Sequence, residues 1–181
     1  MEKTKHILKN GEELIVRGAR IEDAAELVAV VKEYVEESEF IPYEKDEFSL
    51  SVEDEQKWIQ SFLDRPNSLL LLAEINGHIV GNISVNGIER KMMSHTACIG
   101  IGMLKEYRGT GIGSALVDMV VKWAKANPLL EILWLETYDS NVQGHKLYIK
   151  YGFEEVGRHP NFVKIGNDKY VANITMTLNV K

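Results

Sequence analysis

Apolar residues along this chain switch between helical and strand-like spacing, and the switches mark its elements. Leu14-Ile15-Val16 is a short run of strand formers closed by Gly18. From Ile21 the apolar residues Ala24, Leu27, Val28, Val31 and Val35 recur at helical spacing and predict an amphipathic helix. Ser51 followed by Asp54 has the form of a capping box and predicts a second helix to about Leu63, ended by Pro66-Asn67. Leu69–Ile75 and Ile79–Val85 read as strands. Asn76-Gly77 between them predicts a type I′ hairpin, because both turn positions need positive φ. A third strand is expected from about His95 to Leu104. It contains Gly100 and Gly102, and glycines inside a strand mark a bulge or a close approach of backbone or ligand.

The second half alternates in the same way. Ile112, Leu116, Val120 and Trp123 give a helix over 111–126, stopped by Pro128. Ile132–Leu135 is a strand, and Asn141–Tyr151 a short helix ended by Gly152. Phe153 to about Ile165 and Lys169 to Val180 are two long strands joined by Gly166-Asn167-Asp168. No repeat, linker or low-complexity stretch interrupts the series. One mixed α/β (α+β) domain over residues 1–181 is expected, with hairpins towards both ends and helices between strands.

Composition narrows the class. The chain has 181 residues, 45% hydrophobic and 27% charged, which suits a globular domain with a sizeable core. Its net charge of −6 repels phosphate backbones, so a nucleic-acid partner is not expected. No stretch approaches the length of a membrane span, and the N-terminus lacks the apolar core of a signal peptide, so a cytoplasmic protein is expected. The lone cysteine, Cys98, rules out an internal disulfide and fits a small buried residue better than a nucleophile. The five histidines show no paired ligand spacing, so no metal is expected.

The sharpest feature is Arg108-Gly109-Thr110-Gly111-Ile112-Gly113-Ser114, between a strand and a helix. The first N–H groups of a helix lack internal partners and sit at the positive end of its dipole, so a phosphate or pyrophosphate is their natural ligand. No Lys-Ser or Lys-Thr follows the last glycine, which removes the residue that would hold a terminal nucleotide phosphate. The dinucleotide fingerprint fails as well, because Leu116 stands where its third glycine would be.

Arg108, Gly111 and Gly113 in Arg-x-x-Gly-x-Gly spacing resemble the pyrophosphate-binding motif of the GNAT family of N-acetyltransferases. A second segment strengthens the likeness. Asn141-Val142-Gln143-Gly144-His145-Lys146-Leu147-Tyr148-Ile149-Lys150-Tyr151-Gly152-Phe153 is similar to the family's Asn-x-x-Ala-x-x-Leu-Tyr-x-Lys-x-Gly-Phe, with Gly144 in place of the usual alanine. The two motifs cover about residues 95–155.

The resemblance implies a central, twisted, mostly antiparallel sheet flanked by about four helices, with a splayed parallel strand pair at 95–104 and 132–136 where acetyl-CoA binds. Met103 and Leu104 would face that co-substrate, and the amides of Gly109, Thr110, Gly111, Ile112, Gly113 and Ser114 would hold its pyrophosphate. Arg108 would either pair with phosphate or cap the turn. Tyr148 takes the position of the family's candidate acid. Asn141 would lie near the pantetheine arm while also capping its helix, and Lys150 would reach the phosphates or lie in water. The implied reaction is direct attack of an amine on acetyl-CoA in a ternary complex, on a small molecule, a peptide N-terminus or a lysine. The alternative is a non-catalytic acyl-CoA-binding protein on the same scaffold. No motif supplies a base. Glu136 is the first candidate, with His95, Tyr138 and Asp139 behind it. Between Glu33 and Glu55 lie ten acids and one base, with Phe40 and Tyr43 among them; they suit a cationic acceptor, or simply a solvated acidic surface. The edges of the C-terminal hairpin leave room for a homodimer.

Overall fold

The computed structural model describes residues 3–43, 47, 49–166 and 168–181. The strands are β1 (Thr4–Ile7), β2 (Glu13–Gly18), β3 (Leu69–Ile75), β4 (His78–Gly87), β5 (Thr96–Met103), β6 (Ile132–Tyr138), β7 (Glu154–Lys164) and β8 (Tyr170–Asn179). They form one sheet in the order β1-β2-β3-β4-β5-β6-β8-β7. Every neighbouring pair is antiparallel except β5 and β6. The helices are α1 (Ala24–Glu36), α2 (Val52–Leu63), α3 (Ile112–Ala126) and α4 (Val142–Lys150). This is the mixed sheet with flanking helices that the resemblance implies.

Local chemistry accounts for the elements. Asn76 and Gly77 take φ of 52° and 82°, as the hairpin turn requires. Ser51 caps α2: its Oγ accepts from the Asp54 N–H at 3.1 Å. The return bond of a capping box is replaced, because Asp54 accepts from the Ser51 hydroxyl instead of its backbone. α1 is entered through a single 3₁₀ turn, Ile21–Asp23, where Asp23 receives two 2.7 Å bonds from the Arg17 guanidinium. One strand escapes the sequence reading. β1, Thr-Lys-His-Ile, carries no apolar run and pairs along β2 with alternating exposure, as an outer strand does.

Alternation along the strands builds two cores. Leu71 and Ala73 of β3, with Ile83 of β4 and Leu133 and Leu135 of β6, pack beneath Leu116, Val117 and Val120 of α3. Leu70 and Leu72 point the other way, into a cluster with Leu27, Val31 and Tyr34 of α1 and Ile59 and Phe62 of α2. Leu69–Ala73 therefore reads as a continuous apolar run because β3 is covered on both faces. Burying each such leucine contributes about 2 kcal/mol.

The parallel pair is short. Only Thr96, Ala97 and Cys98 of β5 pair with Ile132, Leu133 and Trp134 of β6. Beyond Cys98, β5 continues to Met103 on β4 alone, while β6 continues to Tyr138 on β8. The two strands part in mid-sheet, and the backbone groups of Ile99–Met103 that point away from β4 face the gap.

Candidate functional site

The glycine turn lies at the open end of this gap. A 3₁₀ turn, Lys105–Tyr107, follows β5, and α3 begins at Ile112 with Gly111 as its N-cap. Gly109 and Gly111 take φ of 80° and 116°, a region other residues resist. No side chain caps α3, so the positive end of the helix faces outward through main-chain amides. The turn is braced from behind: the Thr110 hydroxyl donates to the Tyr107 carbonyl at 2.7 Å, and the Lys9 N–H donates to the Thr110 carbonyl at 3.2 Å. A cavity of about 270 Å³ opens beside it, lined by His6, Lys9, Thr110, Gly111, Ser114 and Tyr151 among others. His6 and Lys9 are not among the site residues that the sequence predicts, because β1 brings them there.

Arg108 lies along the end of β5. Its Nε and Nη2 donate to the Met103 carbonyl at 3.4 and 3.3 Å, the capping alternative of the two open to it. Met103 and Leu104 are half-buried. Met103 packs towards α3, and Leu104 touches both cores.

The second motif is physically part of the first. A Cβ placed on Gly113 would lie 3.1 Å from Leu147 Cδ2 and 3.5 Å from Met103 Cε, so the bare glycine lets α3 seat against α4 and β5. The Tyr151 hydroxyl donates to the Ser114 carbonyl at 2.7 Å, and Lys150 Nζ lies 3.4 Å from Ser114 Oγ. A cation held at the positive end of a helix is unfavourable unless an anion joins it. Asn141 caps α4, accepting from the Gly144 N–H at 3.0 Å while its amide reaches Thr137 Oγ1 at 3.3 Å. This also explains Gly144: a Cβ there would fall 2.6 Å from the Asn141 amide nitrogen, so alanine would crowd the cap. Tyr148 is buried edge-on against Phe153, and burial pushes its hydroxyl up to about 12. It keeps its proton at neutral pH.

The opposite face of the gap has a different character. On β5 the residues pointing away from α3 are Cys98, Gly100 and Gly102, paired with Asn86, Ser84 and Asn82 of β4. On β6, Trp134 pairs with Cys98, and Glu136, two residues further along, shares the face of Trp134. This is a polar strip with a glycine floor. Tyr34 of α1 closes one side, its ring over Gly102 and its hydroxyl donating to Asn82 Oδ1 at 3.1 Å. Burial, with Glu136 adding to it, raises the half-buried Cys98 thiol to about 11, so it is protonated and a poor nucleophile.

Glu136 is exposed on this strip. The other candidate bases are set apart. The His95 carbonyl accepts the N–H groups of Glu131 and Ile132 at the closed end of the strand pair. Asp139 accepts from the Ala172 N–H and pairs with Arg158 at 3.5 Å. The Tyr138 hydroxyl is buried without a partner among the described residues. Phe40 and Tyr43 are exposed on the connection from α1 to α2. Glu44, Lys45, Asp46 and Phe48 of the acidic segment lie outside the described residues. The Glu37 carboxylate at the end of α1 accepts the Lys105 N–H at 3.2 Å and ties that connection to the end of β5.

Comparisons with known proteins agree with this architecture. The acetyltransferase (GNAT) family model matches residues 28–153. The chain is 29% identical over 114 residues to L-amino acid N-acetyltransferase AaaT of Escherichia coli strain K12, covering 63% of this chain and 70% of that protein. It is 26% identical over 171 residues to the N-alpha-acetyltransferase of Sulfurisphaera tokodaii, covering 90% and 93%. Among solved structures, a GNAT-family acetyltransferase from Streptococcus pneumoniae superposes with a TM-score of 0.88 at 29% identity, over 93% of this chain and 99% of that one. YncA of Salmonella typhimurium, solved with its cofactor acetyl-CoA, shares the fold with a TM-score of 0.82 at 15% identity, over 93% and 94%. With both signature segments packed into one site and a family match over most of its length, this chain belongs to the GNAT acetyltransferase family.

Proposed function

We propose that residues 1–181 form one N-acetyltransferase domain that moves an acetyl group from acetyl-CoA to an amine by direct attack in a ternary complex. The observation that carries this reading is the uncapped start of α3, its amides open between Gly109 and Ser114 with Lys150 alongside. That arrangement suits a diphosphate. Arg108 completes the end of β5 or swings to the phosphates when they bind. The pantetheine arm then runs into the gap, bonding the free side of β5 as an added strand would, past Met103 and Leu104. Asn141 and Thr137 border the same gap.

The co-substrate enters from the α3 side, so the acceptor approaches along the polar strip on the other face. Unperturbed primary amines are protonated at neutral pH, and a base must take a proton first. Glu136 is placed for this on the strip. The amine nitrogen then attacks the thioester carbonyl carbon, the new C–N bond forms and the C–S bond breaks. Tyr148 gives its proton to the departing thiolate and regains one from the attacking nitrogen, which sheds its surplus proton as the amide forms; burial suits Tyr148 by keeping the hydroxyl protonated until then. Acetyl transfer to L-amino acids in AaaT, and to α-amino groups in the Sulfurisphaera enzyme, supports an amine acceptor. Calorimetric titration with acetyl-CoA, followed by thiol release across a panel of amines, tests the reading. Binding with turnover is expected. A folded protein that gives no heat with acetyl-CoA would refute it, and binding without turnover on any amine would favour the non-catalytic alternative.

A further inference from the structure

The cavity beside the glycine turn takes two basic residues, His6 and Lys9, from the N-terminal segment, and both lie outside residues 28–153, the stretch that the family model matches. This segment is fixed to the turn at two points. The Lys9 N–H donates to the Thr110 carbonyl at 3.2 Å, and buried Leu8 packs its Cδ2 3.8 Å from where a Cβ on Gly111 would lie. Lys9 is exposed, and its ammonium makes no hydrogen bond or ion pair among the described residues. His6 is oriented by a short relay. Thr4 and His6 share the face of β1 turned to α3, where the Thr4 hydroxyl donates to Met119 Sδ at 3.0 Å. With that proton committed, Thr4 Oγ1 accepts from His6 Nε2–H at 3.0 Å, and Nδ1 is the ring nitrogen left to meet a ligand.

Opposite these residues the cavity is walled by the first two turns of α3, at Gly111, Ser114 and Asp118. Asp118 is the acid among the lining residues, and Lys122 pairs with it at 2.6 Å, so it does not cancel the basic side chains across from it. At about 270 Å³ the recess is smaller than a site for a whole small molecule and suits one end of a larger one. With the diphosphate of acetyl-CoA at Gly109 to Ser114 and its pantetheine arm in the gap, the other end of the molecule leaves the turn away from the gap. That end is an adenosine whose ribose carries a 3′-phosphate, a monoester with about −1.5 to −2 charge at neutral pH. The recess shares Thr110, Gly111 and Ser114 with the turn, so it begins where the diphosphate ends.

We propose that Lys9 and His6 hold the 3′-phosphate of acetyl-CoA in this recess, so that the N-terminal segment makes the protein select CoA over its 3′-dephospho form. This rests on the acetyltransferase reading above. It assigns both residues to binding, not to chemistry at the thioester. Lysine serves phosphate as a point charge on a flexible stem, which suits an exposed residue at the rim of an open recess.

Calorimetric titrations with CoA and with 3′-dephospho-CoA test this in wild type, Lys9→Ala, His6→Gln and Lys5→Ala. Lys5 is the control, because it lies on the other face of β1 and pairs with Glu13 at 3.0 Å. Wild type is expected to bind CoA about 10–30-fold more tightly than 3′-dephospho-CoA. Lys9→Ala and His6→Gln are each expected to cut that ratio by about threefold or more, by weakening CoA and leaving 3′-dephospho-CoA within about twofold of wild type. Lys5→Ala keeps the wild-type ratio. A wild-type ratio near one, an unchanged ratio in Lys9→Ala or His6→Gln, a loss on both ligands alike, or an equal drop in Lys5→Ala overturns the assignment. Failure of wild type to bind either ligand is the separate result that sinks the enzymatic reading itself.

Discussion

Glu55 of α2 is 3% exposed and its Oε1 has no hydrogen-bond partner among the described residues, so its burial has a consequence for folding. The folded protein holds its carboxyl at about 7, against an ordinary value of 4.5. Below the unfolded value both states are protonated and nothing is lost. As pH rises from there, the unfolded chain releases the proton while the folded one keeps it, and stability falls until the folded group also ionises. Above about pH 7 the full penalty is present. At 1.36 kcal/mol per pKa unit the ceiling is about 3 kcal/mol, and solvent screening and relaxation bring the expected figure to about 2 kcal/mol. Glu55→Gln keeps the shape and removes the charge. It is expected to stabilise the protein by about 2 kcal/mol at pH 8, or about 4–8 °C in Tm, and to have little effect at pH 4.5. Urea titrations of both proteins at the two pH values measure this. Equal stability at pH 8, or a loss there, would mean that the carboxylate has a partner in the folded state, and the reasoning about an unpaired charge would fail.

Other consequences follow from single contacts. Tyr148→Phe removes the acid and keeps the ring against Phe153, so kcat is expected to drop by roughly 100-fold while acetyl-CoA affinity holds; unchanged turnover excludes the role. Lys150→Ala removes the cation beside Ser114 and is expected to weaken acetyl-CoA binding by about 3–10-fold, with a shallower salt dependence by calorimetry; an unchanged affinity places Lys150 in solvent. Gly102→Ala drives a methyl into the Tyr34 ring, which is held by its bond to Asn82. It is expected to cost about 1–3 kcal/mol in a urea titration, and a midpoint equal to wild type would show that the ring moves freely.

The helices, the hairpin and the glycine turn are legible in the sequence because each depends on local chemistry: a cap at Ser51, positive φ at Asn76-Gly77, three glycines ahead of an apolar helix. The union of the two motifs is legible only as co-occurrence. Contacts of Leu147, Lys150 and Tyr151 with Gly113 and Ser114 explain why one segment needs the other, and these join residues more than 30 positions apart. β1 is illegible for a related reason. Its stability comes from pairing with β2, not from its own composition, and with it arrive His6 and Lys9 beside the turn. Glu55 reads in sequence as one acid among ten. The helical spacing from Glu55 to Ile59 and Phe62 was present all along, but charge counting does not ask which face a residue occupies.

The two faces of β5 contribute unequally to the packing. On the α3 side Ala97, Ile99 and Ile101 continue the larger core, and on the other side Cys98, Gly100 and Gly102 contribute little packing. Stability is concentrated in β3, buried on both faces, and in the strands on either side of the gap. The gap forgoes the ladder between β5 and β6 beyond Cys98, and with it several hydrogen bonds worth about 1 kcal/mol each. On the proposed reading, a sheet that gives up pairing at its centre, with the uncapped start of α3 on one side of the opening and Glu136 on the other, leaves room for acetyl-CoA to meet an amine there. Filling the strip with apolar side chains would strengthen the fold and close the passage.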